Sequence, residues 1–240
     1  MKSHLFFLGA VLILPIVSNA QSSNKNYLGV QAGVSIPVGE FGKANYSDNL
    51  AGFAKTGIHV AVDGAHYFKS GILGLAGQLA FTDNGRLNKS DLQKIGDGFT
   101  DGFGVDNSTV TGNGRYRRLT GMVGPTVLFG GDKLKLEIRA LAGVVKSLGT
   151  PEVTVQLEDN TSTRLVQHSS TSTVFGYQAG LGIHYAFTDR IGLVLRGDYL
   201  KAGDLTISND NRFNNAGRYN EKQPVGAVNT SIGLTFAFGQ

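Results

Sequence analysis

Between residues 175 and 185 the chain reads Phe175-Gly176-Tyr177-Gln178-Ala179-Gly180-Leu181-Gly182-Ile183-His184-Tyr185, with an apolar side chain at every second position. Successive side chains of a β-strand point to opposite faces. The alternation therefore predicts a strand with one apolar face and one face of glycine and polar residues. A helix is disfavoured here, because each interior glycine would cost about 1 kcal/mol relative to alanine. The chain contains 34 glycines, which extends the same argument to the whole fold.

Seven further segments alternate in the same way. They lie around Leu28–Ile36, Ile58–Val62, Leu73–Phe81, Leu119–Phe129, Leu134–Ala142, Ile191–Tyr199 and Val228–Phe238. Their connections are alternately long (37–56, 82–116, 146–173 and 201–224) and short (69–70, 130–132 and 188–190). Short connections can join only antiparallel neighbours, so all the long connections emerge at one end of the sheet. These are rich in Asn, Asp, Ser, Thr and Gly, and we expect loops without a helix.

The distribution of charge indicates which face of the sheet meets water. The eight segments contain only eight charged residues, namely Asp63, Arg117, Arg118, Lys135, Glu137, Arg139, Arg196 and Asp198. A well-solvated surface is about 25–35% charged, whereas the polar face here consists mainly of Gly, Ala, Ser, Thr and Gln. Such a face suits the narrow interior of an eight-stranded barrel, and the apolar face then contacts lipid. The expected fold is therefore all-β, an eight-stranded antiparallel up-and-down transmembrane β-barrel.

Aromatic residues near the ends of the predicted strands agree with this fold, because membrane barrels carry aromatic girdles at both membrane–water boundaries. The expected girdle comprises Tyr27, Tyr67, Phe68, Phe81, Phe129, Tyr185, Phe187, Phe236 and Phe238.

The first twenty residues have the composition of a secretory signal peptide. An apolar run from Leu5 to Val17 follows a positively charged start and is too short for a transmembrane helix. Small residues then precede a cleavage site that we expect between Ala20 and Gln21. Residues 1–20 would be the signal peptide and residues 21–240 one outer-membrane β-barrel domain. The expected location is the outer membrane of a Gram-negative bacterium.

Three motifs carry a resemblance to a known family. The segments Tyr27–Gly33, Ile36–Gly42 and Ile232–Phe238 are similar to those of small outer-membrane β-barrel proteins of the OmpA/OmpX/OmpW-like type, in particular the Bacteroidetes-type "porin family". The resemblance implies outer-membrane lipid, lipopolysaccharide and the barrel-assembly machinery as partners. Family members usually end on an aromatic residue that this machinery reads. Here Gly239 and Gln240 follow Phe238, so Phe236 and Phe238 are the expected terminal aromatics.

Because every second residue of a strand points to the same face, the sequence places a polar network inside the predicted barrel. Its members are His59, Asp63, Arg118, Lys135, Glu137, Arg139, His184, Arg196 and Asp198. The near balance of cations and anions favours a salt-bridged plug, in which each buried charge is compensated. A charged constriction that filters small ions is the second interpretation. Catalysis is the least favoured.

Other motifs point to no enzyme, metal site or cofactor. His168 and Ser170 would share a strand face, but no acid that could complete a catalytic set is evident. The doubled Asp-Gly-Phe between Asp97 and Gly104 matches no calcium motif and predicts a turn-rich loop. No basic stripe with interleaved aromatics suggests nucleic-acid binding. Arg115 and Arg117, near one strand end, could contact lipopolysaccharide phosphates.

Three functions remain open from the sequence. The leading one is an outer-membrane barrel with a structural or interaction role, at most slight passive conductance, and an unknown extracellular partner for its long loops. The second is a narrow channel for small or apolar solutes. The third is a secreted soluble barrel that binds a hydrophobic ligand.

Overall fold

A computed structural model describes residues 26–46, 48, 50–68, 71–157, 164–211 and 217–238. The expected signal peptide with its cleavage site at Ala20 and Gln21, and the terminal pair Gly239 and Gln240, lie outside the described residues.

The described part of the chain is mostly β-structure. In chain order its strands are β1 (Asn26–Pro37), β2 (Gly57–Tyr67), β3 (Leu73–Asp83), β4 (Ser108–Asn113), β5 (Arg117–Gly130), β6 (Leu134–Gly149), β7 (Glu152–Leu157), β8 (Arg164–Gln167), β9 (Thr173–Ala186), β10 (Ile191–Asn211) and β11 (Gly217–Phe238). One short 3-10 helix, Gly39–Phe41, follows β1, and one α-helix, α1 (Lys89–Phe103), lies between β3 and β4. None of the helices in these ranges is both long and apolar enough to cross a membrane.

Eight strands form a closed antiparallel ring. The order is β11-β1-β2-β3-β5-β6-β9-β10, and the pairing of β10 with β11 completes the circle. The first barrel strand pairs with the last, with Asn26 opposite Phe238. The predicted eight-stranded antiparallel barrel is confirmed. We call the end with the tight connections, such as 131–133 and 187–190, the turn end, and the opposite end the loop end.

The apolar side chains cover the outside of this ring. Leu79 and Val30 are 70% and 64% exposed, whereas Gln31 and Gln178 on the inner face are each 2% exposed. A protein in water would not expose such a continuous apolar band, because burying apolar area is worth about 25 cal/mol per Å². A lipid-facing barrel requires this arrangement. A soluble ligand-binding barrel requires the reverse, so the third function proposed from the sequence is not supported.

The expectation that the long connections lack a helix was wrong. Helix α1 spans most of the doubled Asp-Gly-Phe motif that we interpreted as a turn-rich loop. It begins with a capping box, in which the Asn88 side chain accepts the Asp91 backbone N–H at 2.9 Å and the Asp91 side chain accepts the Asn88 N–H at 3.0 Å. These bonds satisfy backbone donors that the first turn leaves free. Gly104, with φ of 62°, ends the helix in the left-handed conformation that suits glycine.

The loop end also contains more sheet than the sequence suggested. Strands β10 and β11 continue past the barrel wall and pair up to Asn211 and Gly217. The tip of β10 pairs with β8, which pairs with β7, which pairs with β4. We call α1, β4, β7, β8 and the extensions of β10 and β11 the platform. Its apolar core consists of Ile95, Val153, Val155, Leu157 and Leu165, and Phe53 from the first connection packs into this core.

Candidate functional site

Five oppositely charged side chains meet inside the turn half of the barrel. We call Asp63, Glu137, Arg139, Arg196 and Asp198 the interior ion-pair cluster; all five are buried. The Arg139 guanidinium donates to both oxygens of Asp198, with Nη2–Oδ2 at 2.7 Å and Nε–Oδ1 at 3.1 Å. Its Nη1 reaches Asp63 Oδ2 at 3.2 Å. Such a bidentate contact is the strongest and most directional form of an Arg–carboxylate pair.

Arg196 links the remaining carboxylates. Its Nη2 lies 2.6 Å from Glu137 Oε2 and 3.0 Å from Asp63 Oδ2. Glu137 also accepts a hydrogen bond from the Thr126 hydroxyl and pairs with His184 Nε2 at 3.0 Å. Three carboxylates therefore surround two guanidinium groups, with an imidazole beside them. The charges compensate one another across the lumen, which makes their removal from water tolerable.

Tyr27 and Tyr67 belong to this cluster, and their assignment to the aromatic girdle was wrong. The Tyr27 hydroxyl lies 3.1 Å from Glu137 Oε1 and accepts from Arg196 Nη2 at 3.0 Å. The Tyr67 hydroxyl donates to the same Glu137 oxygen at 3.0 Å. Strand parity was the available signal, because Tyr27 precedes the outward Leu28 and so points inward. Both tyrosines also lie near strand ends, and this position led to their assignment to the girdle.

Small residues on the inner face make room for the cluster. A Cβ atom on Gly180 would lie 1.9 Å from Asp198 Oδ1, which no real side chain permits. Gly180 is opposite both Arg139 and Asp198 in the sheet. Glycine at this position therefore allows the Arg139–Asp198 pair to form.

The other predicted interior residues lie at different levels. Arg118 is buried near the loop end, donates to Asn84 Oδ1 and reaches Ser35 Oγ at 3.0 Å. His59 is buried at the same end, with Nδ1 3.1 Å from Thr82 Oγ1. Lys135 and His184 line a cavity at the turn end. Six of the nine predicted residues are therefore in contact in the turn half, namely the five of the interior ion-pair cluster and His184. Arg118 and His59 lie at the loop end, and Lys135 lies at the turn-end cavity.

An apolar layer closes the loop half of the barrel. We call Phe41, Tyr116, Val145, Leu205 and Val225 the outer seal; all are buried and belong to one core. The Phe41 and Tyr116 rings meet edge to face at 5.4 Å, and Arg118 lies over the Phe41 ring at 5.8 Å. The void at this level measures about 10 Å³, close to the minimum for a single water. The expectation of an interior made of small and polar residues therefore missed this layer.

Two larger cavities lie on either side of these barriers. The inner cavity, at the turn end, has a volume of about 310 Å³ and is lined by Tyr27, Tyr67 and His184 among others. The outer cavity, between the outer seal and the platform, has a volume of about 360 Å³ and is lined by Tyr46, Phe53 and Tyr116 among others. The two cavities share no lining residue.

The motif His168–Ser170 acquires the acid that the sequence did not reveal. His168 Nε2 lies 2.9 Å from Asp210 Oδ2, at the tip of β10. Arg218 Nε donates to the other Asp210 oxygen at 2.8 Å. This hydrogen bond from His168 is the main cause that lowers the pKa of Asp210 below its usual range. Ser170 is instead buried, and its hydroxyl lies 2.7 Å from the hydroxyl of Ser172. The contacts of this motif therefore connect neighbouring strands at the loop end.

The rim arginines share one acid. Arg115 Nε lies 2.8 Å and Arg117 Nε 3.1 Å from Asp83 Oδ2. Both side chains are about half exposed, and together with Arg86 they line a cleft of about 430 Å³ at the loop end. Because three arginines share one carboxylate, the cleft carries a net positive charge. Among the described residues, no three His, Asp or Glu side chains are placed to hold a metal ion.

Comparison with known proteins agrees with this architecture. Residues 6–236 match the outer membrane protein beta-barrel domain family. No curated protein matches the chain.

Solved structures share the fold at low sequence identity. The outer membrane protein OprG of Pseudomonas aeruginosa is 12% identical, with 92% of this chain and 100% of that chain covered and a TM-score of 0.50. The neisserial surface protein A is 12% identical over 89% and 97% of the two chains, with a TM-score of 0.46. The outer membrane protease OmpT of Escherichia coli is 11% identical over 91% and 98%, with a TM-score of 0.40. At this level of identity the likeness shows the fold alone, and a fold does not by itself select a function. By its family match and its closed eight-stranded ring, the chain belongs to the outer membrane protein β-barrel family.

Proposed function

We propose that this protein is a closed outer-membrane barrel whose binding part is the platform rather than the lumen. The observation that carries the proposal is the filling of the lumen at two levels, by the interior ion-pair cluster and by the outer seal. Each level is built from side chains that pack on or bind to one another. The role is therefore structural or interactive, with at most slight passive conductance.

Export and orientation complete this proposal. Residues 1–20 act as the signal peptide and are removed between Ala20 and Gln21, which leaves residues 21–240 as the outer-membrane domain. The turn end faces the periplasm and the platform faces the outside. The barrel-assembly machinery recognises β11, whose Phe236 and Phe238 are exposed on the outer face near the turn end. Mass spectrometry of the mature protein checks the cleavage site.

Lipopolysaccharide is the proposed partner at the outer rim. The side chains of Arg115 and Arg117 are about half exposed, at 42% and 50%, and lie at the loop end of a lipid-facing wall. Guanidinium groups bind phosphate oxygens well, because their planar donors match the geometry. Replacing both arginines by glutamine should weaken the binding of vesicles that contain lipopolysaccharide. Unchanged binding would exclude lipopolysaccharide as a partner of these two arginines.

Planar bilayer recording tests the closed lumen. We expect the purified protein to give no discrete conductance steps, while a general porin reconstituted in the same way gives them. Discrete steps whose ion preference changes on Arg139→Glu would contradict the proposal and favour a narrow channel instead.

A further inference from the structure

The outer cavity has the size and walls of a ligand site. Its volume of about 360 Å³ falls within the range of small-molecule pockets. Its apolar wall includes Phe53, Ile95, Phe99 and Val155, which come from the first connection, α1 and β7. Aromatic rings are prominent, and Tyr46 and Phe99 lie in contact with their centroids 4.9 Å apart.

One acid in this cavity forms no ion pair within the described part of the chain. Among the lining acids, Asp48 pairs with Lys43, and Asp210 pairs with Arg218 at 2.8 Å. Glu221 also lines the cavity, from β11 opposite Ile207, but no cation of the described residues forms an ion pair with it. Its side chain is partly buried, and this burial raises its pKa above the usual range of a glutamate. A partly desolvated carboxylate is stabilised by an opposite charge.

Two tyrosines accompany this acid. Tyr219 lies two residues before Glu221 and shares its face of β11, and Tyr46 lines the same cavity from the first connection. Tyrosine rings attract a cation through their π-faces when it lies within about 6 Å. Asp48 and Asp210 are each paired with a cation, so Glu221 is the lining acid that can attract a ligand cation. Lys222, the one lysine that the described lining contains, follows Glu221 directly on β11 and therefore points to the opposite face of the strand.

We propose that the outer cavity binds an organic amine with an apolar or aromatic body. The ammonium group pairs with Glu221 between the rings of Tyr46 and Tyr219, and the body lies against Phe53, Ile95 and Phe99. The inference rests on the proposed role of the platform as the binding part, and it assigns a ligand class to that part. A metal ion fits poorly, because the described residues provide no group of ligands that could hold one.

Binding of three matched probes tests this inference on the full-length protein in detergent micelles. The probes are 3-phenylpropylamine, 3-phenylpropanol and 3-phenylpropanoate, which share one body and differ in charge. Because the chain contains no Trp, Tyr219→Trp places a single tryptophan at the cavity, whose fluorescence can be excited selectively. Calorimetry on the unmodified protein provides a second measurement. We expect saturable binding of the amine, with the alcohol about tenfold weaker and the carboxylate weaker still.

The control variants separate the ion pair from general effects. Glu221→Gln keeps the side-chain shape and should weaken amine binding about tenfold while leaving alcohol binding unchanged. Glu152→Gln makes the same change at an exposed acid that does not line the cavity, and should leave amine binding unchanged. Equal binding of amine and alcohol, or an amine affinity insensitive to Glu221→Gln, would overturn the inference. Conductance in bilayers is a separate result, so it would contradict the closed lumen without affecting this outcome.

Discussion

At the scale of single residues, parity along the strands predicted which charges are buried but not which partners they have. On one strand face Glu137 lies two residues from both Lys135 and Arg139, and Arg196 lies two residues from Asp198, so strand neighbours are the partners that spacing alone would offer. The pairs instead run across the lumen, where Arg139 contacts Asp63 and Asp198. Neighbours on one strand face lie about 6–7 Å apart, whereas the barrel brings distant strands into direct contact. That closeness depends on how the ring closes, which no local pattern encodes.

Removing one cation from the interior ion-pair cluster should destabilise the barrel strongly. Arg139→Met leaves Asp198 without its bidentate partner in a buried position, and we expect a loss of about 3–5 kcal/mol in the free energy of unfolding. Urea unfolding in lipid vesicles, followed by the gel mobility of the folded form, measures it. Arg190→Met makes the same change at an exposed turn residue and should cost little. Equal stability of the two variants would refute the structural role of the cluster.

Glycine at position 180 should be required for the same reason. Gly180→Ala places a methyl group against Asp198 Oδ1 and must displace the Arg139–Asp198 pair, so we expect a cost of about 1–3 kcal/mol. Gly197→Ala is the matched control on the adjacent strand, because a Cβ there meets no atom within 4 Å. The same unfolding assay compares them, and a Gly180→Ala variant as stable as the control would show that the space is not needed.

At the scale of elements, alternation predicted the barrel strands and failed for the platform. Helix α1 was missed because glycines such as Gly96, Gly98 and Gly102 are typical of turns. The pair Asn88 and Asp91 is nevertheless a signal for the start of a helix. In β7, Val153, Val155 and Leu157 alternate as in the barrel strands, but Thr and polar neighbours led us to assign a loop. Tertiary packing supplies the stability that these segments lack on their own.

Loss of the capping box should loosen α1 without affecting the barrel. Asn88→Ala removes the side chain that accepts the Asp91 N–H, at an expected cost of about 1 kcal/mol to the helix. Hydrogen exchange at the α1 amides should accelerate, while the unfolding of the barrel stays unchanged. Gln93→Ala, at an exposed position of the same helix, is the control and should leave the exchange slow. Uniform acceleration across the barrel strands would show that platform and barrel unfold together.

At the scale of the whole molecule, connection lengths determined the architecture. Alternating long and short connections predicted that the tight turns lie at one end, and the strand order with the described connections 131–133 and 187–190 agrees with this arrangement. The closure of the lumen was only partly predicted from the sequence. The interior charges indicated a plug, but the outer seal depends on Phe41, which reaches the lumen from a short helix in the first connection. A residue outside the alternating segments carries no parity signal, so the sequence could not reveal it.

The accessibility of single residues along β3 tests the lipid-facing wall most directly. The chain contains no Cys, so a spin label can be attached to one introduced cysteine at each position from Leu75 to Ala80 in lipid vesicles. We predict that collisions with oxygen, which concentrates in the bilayer, are frequent at Leu75, Gly77 and Leu79 and rare at Ala76, Gln78 and Ala80. A water-soluble nickel reagent should reach none of the six readily. Oxygen maxima at Ala76, Gln78 and Ala80, or no alternation at all, would contradict the account.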